Sequence, residues 1–437
     1  MTSADKTFST DRHGWSELLP ERQGRPSLSG AHRVPWVVVG AGFTGLACAR
    51  RLGELHRNQQ ILLIDARLVG QGASGRNSGF AIATSHFPGR AVPKQIEKYR
   101  RVNRINRTGL DLLSVQVSEN AIDCQWRKEG IYHAAADRLA IRECEHFLHY
   151  LDTLGVNHTA LDKTALNDRL GTNLYQVGVH VNDGVLLQPA ALVRGLANTL
   201  PANVSLFEQS PALKIEKGKP LTLLFAVGEI KTDKLILAMN YEASTLGFLR
   251  SYIIGSTLSG SFTRVLSEQE IASLGSETEW GILSLHAGGA SLRLTSDHRL
   301  CIRNTVEYHG SKLLSDSKLA HRQAIHRIAL DKRFPQLAQV PFEFSWSGVE
   351  GISRNGTNFF GRQCDNIFLA GGYNGSGISR GTAFGTAIAE YASGGTSQTI
   401  KDCLASPPGA WIPPRPLLDI GAFFTIHSRF RGVGLDR

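Results

Sequence analysis

The chain has no apolar run approaching the roughly 18–20 residues that a bilayer span requires, so no membrane insertion is expected. Its six cysteines (Cys48, Cys124, Cys144, Cys301, Cys364, Cys403) include no C-x-x-C pair. That speaks against a zinc site and against a disulfide framework, and it fits a reducing, cytoplasmic setting; no metal is expected. Internal repeats and low-complexity tracts are missing too. The opening stretch MTSADKTFSTDRHGWSELLPERQGRPSLSG lacks an apolar core and mixes acids with bases. It reads neither as a secretory signal nor as a transit peptide, and a loosely packed extension over residues 1–33 is the simpler expectation. Clustered basic residues are absent as well. The net charge is +10, but Lys and Arg are spread along the chain, with only short groups such as Lys98-Tyr99-Arg100-Arg101. No nucleic-acid groove is therefore expected; a generally basic surface that mildly attracts anions is.

What is present is an ordinary folded composition, 42% hydrophobic and 20% charged, with 45 glycines in 437 residues. That length exceeds a single hydrophobic core and implies two large domains or one split domain. Residues 32–39 form an apolar run without polar alternation, as in a parallel strand buried on both faces. A helix over 46–52 and a second strand over 60–64 follow, and then a long helix from about Pro93 to Val117. Strands are predicted at 131–135, 178–181, 204–207, 221–225 and 234–238, with a helix opening at Gln188-Pro189, proline in its first turn. Residues 251–310, rich in Ser, Thr and alternating apolars, suggest an antiparallel sheet. A helix near 315–332, a buried strand at 367–370 and a helix from Ile378 toward Tyr391 complete the pattern. Strand–glycine–helix units thus sit at both ends, with a sheet-rich middle between them.

The first unit carries Gly40-x-Gly42-x-x-Gly45 between strand and helix, with Asp65 about twenty positions beyond. Gly40 allows the tight turn, Gly42 lets a pyrophosphate approach the backbone, and Gly45 lets helix and strand pack closely. The helix N-terminus offers free N–H groups to phosphate, and Asp65 can accept from a ribose hydroxyl. The acid disfavours a 2′-phosphate but does not separate NAD from FAD.

The stretch GASGRNSGF at 72–80 resembles the G-A-S-G-R-N-x-G segment of the FAD-dependent D-amino-acid oxidase superfamily, which includes glycine and sarcosine oxidases. A second resemblance covers Trp346-Ser347-Gly348 and the loop Gly371-Gly372-Tyr373-Asn374-Gly375-Ser376-Gly377, similar to the family's W-x-G segment and G-Y-x-G-x-G loop. The match is closest to the gamma-glutamylputrescine oxidoreductase-like branch. It implies an α/β fold: a discontinuous Rossmann-type FAD-binding domain (34–90, 184–250 and 345–398) with an inserted antiparallel-sheet substrate domain of α+β type (91–183 and 251–344). The extension 1–33 and a tail 399–437 flank them. It implies FAD held by Gly40, Gly42, Phe43, Thr44 and Gly45; by Asp65, Ala66 and Arg67; and by Gly72, Ala73, Ser74, Arg76, Asn77, Ser78 and Gly79. Further contacts are implied for Val204, Ala238, Asn240, Trp346, Gly372, Tyr373, Asn374, Gly375, Gly377 and Ile378.

Two departures bear on chemistry. Glycine and D-amino-acid oxidases place a carboxylate-clamping arginine where this chain has Val349-Glu350, with Arg354 or Arg293 as substitutes. No cysteine lies between Trp346 and Gly361, Cys364 falls too late, and no histidine sits in the 72–75 stretch, so non-covalent FAD is expected. His298 replaces the glycine of the family's R-L-T-x-D-G-R hairpin at 293–299. The implied reaction is C–N bond oxidation of a small-molecule amine or amino-acid derivative, gamma-glutamyl-polyamine-like. Hydride passes to flavin N5, the imine hydrolyses, and O2 or another acceptor takes the electrons. Candidate catalytic residues are Glu350, as partner for a substrate ammonium, with Arg354, Arg293 and Tyr252. Tyr252, Trp280 and His286 could also roof the site, core packing being the default for each. Two alternatives stand beside the oxidase: a dehydrogenase of sarcosine- or pipecolate-like amino acids using a quinone or carrier, and a flavin-binding module without turnover. Oligomeric state is left open.

Overall fold

A computed structural model of the chain describes residues 12–85, 87, 95–286, 288–431 and 433–436. The apolar strand before the glycine turn is Gly30–Val39, and it occupies the centre of an eight-stranded sheet. Gly228–Leu237 and Ile61–Ile64 flank it, and Ile367–Gly371 and Val204–Phe207 lie outside these; all five are parallel. Phe359–Cys364 adds an antiparallel edge, and Lys214–Glu216 and Leu221–Phe225 extend from Gly228–Leu237. Burial on both faces explains the unbroken Val37-Val38-Val39 and Leu235-Ile236-Leu237 runs.

Helices Phe43–Leu55, Ile96–Glu119 and Ser379–Ala392 stack on one face of this sheet. Glycine makes that stack tight. A Cβ on Gly385 would overlap the Thr44 carbonyl, and one on Gly109 would overlap the Ser379 carbonyl. The long helix begins at Ile96, near its expected position; Pro93 itself lies outside the described residues.

A second eight-stranded sheet runs Phe342–Ser353, Ile253–Thr263, Leu300–Glu307, Ser291–Leu294, Trp280–Ser284, Ile131–Ala135, Val177–Val181, His158–Asp162. It is antiparallel except where Trp280–Ser284 meets Ile131–Ala135. Helix Asp316–Arg333 covers its far face, with Leu330 and Phe334 in a core around Trp280 and Ile302. The strand Phe342–Ser353, which carries Trp346 and Glu350, hydrogen-bonds into this second sheet, although the sequence division begins the cofactor part at 345.

The segment after residue 12 differs from the loose extension expected. Trp15 is 0% exposed, edge-on to Phe262 at 4.7 Å, and its carbonyl accepts from Gln188 Nε2 at 2.8 Å. Glu208 receives the Arg25 N–H at 2.6 Å and pairs with Arg22. Truncating a tryptophan buried in this way costs about 3–5 kcal/mol, enough to tie a strap down. The segment reads as polar because its anchors are scattered single residues with no periodicity. His298 does adopt the left-handed turn, with φ +60, so the hairpin keeps its geometry without the glycine. No helix among the described residues is long and apolar enough to cross a membrane.

Candidate functional site

Both glycine-rich crossings open into one cavity of about 1540 Å³, the first through residues 40–44 and the second through residues 373–378. Single small-ligand sites usually occupy about 300–1,000 Å³, so this one has room for a dinucleotide and a second molecule. It lies at the carboxyl ends of the parallel strands, where ligands of such sheets bind, and the antiparallel sheet closes its other side.

The parallel-sheet wall is mostly backbone. Gly40 takes φ +100, and a Cβ there would sit 2.8 Å from the Ala238 carbonyl oxygen. A Cβ on Gly45 would overlap the Gly40 carbonyl, so that glycine serves packing. Gly42 is the N-cap of Phe43–Leu55 and supplies no side-chain acceptor, which leaves N-terminal N–H groups for an anion. The Phe43 N–H meets Ser74 Oγ at 3.1 Å. Asp65, just past Ile61–Ile64, accepts from the Ala41 and Arg67 N–H groups at 2.7 and 2.8 Å. Burial pushes its carboxyl up to about 6. Gly72 and Gly377 line the cavity with nothing within 4 Å of a built Cβ. These are the places where a ligand can lie directly against the chain.

A direct bond joins the two crossings: Thr44 Oγ1 donates to Tyr373 Oη at 2.8 Å. Asn240, at φ +51, accepts the Gly372 N–H through Oδ1 at 2.9 Å and sets the second loop against the sheet. A glycine cradle, a helix N-terminus and an acid at the next strand end fit a dinucleotide.

Of the expected cofactor residues, all line the cavity except Gly45, Gly79, Gly372 and Val204. Gly45 and Gly372 act behind the wall, and Gly79 crosses against Leu187 and Arg293. Val204 opens its strand, so it lies at the end away from the cavity; the carboxyl end supplies Ser210, Pro211 and Ala212 instead. Arg76 and Asn77 line the wall but spend their polar ends on the protein. Arg76 Nε donates to the Gln71 carbonyl at 2.7 Å and Nη1 to the Ser347 carbonyl at 2.9 Å. Trp346 Nε1 returns a bond to the Arg76 carbonyl at 3.1 Å, riveting the two family-like segments together. Asn77 brackets the Ser74 carbonyl and the Gly79 N–H.

The four catalytic candidates separate. Glu350 lines the cavity, with Oε2 3.7 Å from the Cβ position of Gly375. Burial raises its carboxyl above the usual range, while Arg303 pulls it back. Arg354 is at the rim, exposed, and donates to the Trp411 carbonyl at 3.2 Å. Tyr252 is 41% exposed and lies outside the cavity. Arg293 is 1% exposed in the core, its guanidinium over the Trp15 ring at 5.1 Å. Neither is brought to the site. His286 lines the cavity, while Trp280 is a core residue.

Two parts of the wall went unforeseen. Arg303 faces the cavity from Leu300–Glu307, alternating with the core residue Ile302. The other is the tail: Leu418, Gly421, Ala422, Thr425 and Ile426 of helix Leu417–Arg431 line the cavity as well. The alternation at 301–303 was legible; the pairing that turns it toward Glu350 was not.

This is the architecture of a dinucleotide-dependent oxidoreductase with a separate substrate wall. The profile described as "FAD dependent oxidoreductase" (DAO) matches residues 35–391, so the chain belongs to that family and takes FAD as its cofactor. It is 26% identical over 382 residues to a "Probable oxidoreductase OrdL" of Haemophilus influenzae, covering 84% of each chain. It is 25% identical over 364 residues to the gamma-glutamylputrescine oxidoreductase of Escherichia coli, covering 82% of this chain and 83% of that one. Its fold matches the crystal structure of glycine oxidase from Geobacillus kaustophilus with TM-score 0.71 at 17% identity, covering 84% of this chain and 96% of the other. The chain is an FAD-dependent oxidoreductase.

Proposed function

We propose that the protein oxidises the C–N bond of an amine or amino-acid derivative bearing a cationic nitrogen. The bound ammonium first gives up a proton to solvent; hydride then leaves the carbon next to the neutral nitrogen, the imine hydrolyses to a carbonyl compound and an amine, and O2 takes up the hydride and a proton to give H2O2. Bound FAD supplies the two-electron acceptor. The residues that would hold it are the 40–44 loop, Asp65, the 72–78 segment, residues 210–212 and the 374–378 loop. Glu350 then pairs with the substrate's nitrogen, and helix Leu417–Arg431 excludes water from that end of the cavity. The carrying observation is the position of Glu350, a carboxylate facing the cavity beside Gly375 where both glycine crossings meet. The name of the E. coli relative makes gamma-glutamylated diamines the first compounds to try.

The test is an anaerobic amine panel on FAD-loaded protein, reading flavin bleaching, followed by air with peroxide detection. Bleaching and stoichiometric peroxide are expected. Bleaching without peroxide would replace O2 by a carrier, and absence of bleaching by every amine and amino acid would sink the reading.

A further inference from the structure

Most charged groups around the cavity are already engaged. Asp65 binds backbone N–H groups, Glu242 pairs with Arg67, Asp183 accepts from Thr84, and Arg354 holds the tail. Two stand apart. Among the described residues Arg303 makes one side-chain hydrogen bond, Nη2 to Ser291 Oγ at 2.7 Å. Glu350 makes none among the described residues, and no ion pair of 4.0 Å or less joins the two. They nevertheless act on each other electrostatically.

Their placement follows from strand register. Glu350 lies opposite Ser256 and Arg303 opposite Gly260, on the two strands flanking Ile253–Thr263. The side chains of Ser256 and Leu258, with Gly260, form the cavity floor between them. Four residues of strand cover roughly 13 Å along the sheet, and two strand spacings add about 10 Å across it; both side chains line the same cavity around that floor. An acid and a base that both face a cavity and fall short of pairing can be bridged by a ligand carrying both charges.

We propose that Arg303 and Glu350 form a two-point clamp that fixes the orientation of a zwitterionic substrate. Glu350 takes the cationic nitrogen at the Gly375 end, and Arg303 takes a carboxylate at the Ser291 end. The carboxylate site thus comes from a different strand than the resemblance implied, and the substrate class narrows to amines that also carry a carboxylate. This rests on the oxidase reading above but can fail separately from it.

The experiment measures binding of γ-aminobutyrate, butyrate and n-butylamine to FAD-loaded protein by perturbation of the flavin spectrum. It compares wild type with Arg303→Met, Arg303→Lys and Glu350→Gln, each checked for FAD content and melting temperature. Arg303→Met is expected to weaken butyrate and γ-aminobutyrate by about tenfold to a hundredfold, the usual worth of a hydrogen bond to a charged group, and n-butylamine by less than about twofold. Glu350→Gln should do the reverse, and Arg303→Lys should retain part of the carboxylate affinity. If Arg303→Met weakens all three ligands alike, or leaves butyrate unaffected, the clamp is overturned. If Arg303→Met loses FAD, Arg303→Lys decides, because a structural role would weaken n-butylamine too. Carboxylate binding that follows Arg303 while no amine bleaches the flavin would keep the clamp and remove the oxidase reading.

Discussion

The parallel-sheet wall and the antiparallel-sheet wall hold their polar groups in different ways. On the first, glycines clear space and the wall is mostly backbone, with side chains such as Asp65, Asn77 and Asn240 bonded back to the chain. On the second, the polar ends of Arg303 and Glu350 project into the cavity with bonding capacity to spare. A cofactor of constant shape suits a rigid backbone cradle, whereas a substrate is selected by a few side-chain charges that can change without disturbing the sheet.

The strongest way to break that contrast is at the glycines. Gly45→Val should cost about 3 kcal/mol or more, because its Cβ would overlap the Gly40 carbonyl. Gly72→Ala, with open space around it, should change the stability of the FAD-free protein by no more than about 0.5 kcal/mol while lowering FAD retention. Urea unfolding and the FAD content of purified protein read both. If Gly72→Ala retains FAD as wild type does, the cradle is not where it is drawn here.

Acid sharpens the comparison by sign. Folded Asp65 keeps its proton up to about 6 because it is buried, whereas the unfolded chain releases it near the ordinary 3.8, so acidification through that window stabilises the fold. His326 lies under the antiparallel sheet, Nδ1 2.8 Å from Ser261 Oγ. Burial, helped by Arg322 and Arg303, lowers it from 6.5 to about 4, so the unfolded chain takes the proton first and acidification destabilises. Each effect amounts to at most about 3 kcal/mol. Unfolding free energies measured between about pH 7 and about pH 5 should become more acid-labile in Asp65→Asn and less so in His326→Gln.

A single bond's worth of stability is expected at the link between the crossings. Tyr373→Phe removes the acceptor of the Thr44 hydroxyl and should cost about 1 kcal/mol, read as a lower melting temperature.

The glycine spacing at 40–45, the acid at Asp65 and the loop at 371–377 were legible because a dinucleotide cradle is built from contiguous residues whose local geometry demands particular types. Val204 shows the limit of that reading: the strand was found, but which of its ends opens on the cavity depends on chain direction within the sheet, and Ser210–Ala212 line the cavity instead. Tyr252 and Arg293 failed for a related reason. Residue type suggested a role, but one side chain faces solvent and the other is locked under Trp15.

From local order alone, the sequence determined the two strand–glycine–helix units, the class of cofactor and most of the residues of the parallel-sheet wall. Only tertiary structure decided that residues 12–29 are a strap, that the tail helix walls the cavity, and that Arg303 and Glu350 look across the same floor. The physical reason is distance along the chain: backbone conformation is set within a few residues, whereas the meeting of side chains from separate strands is set by the register of the whole sheet.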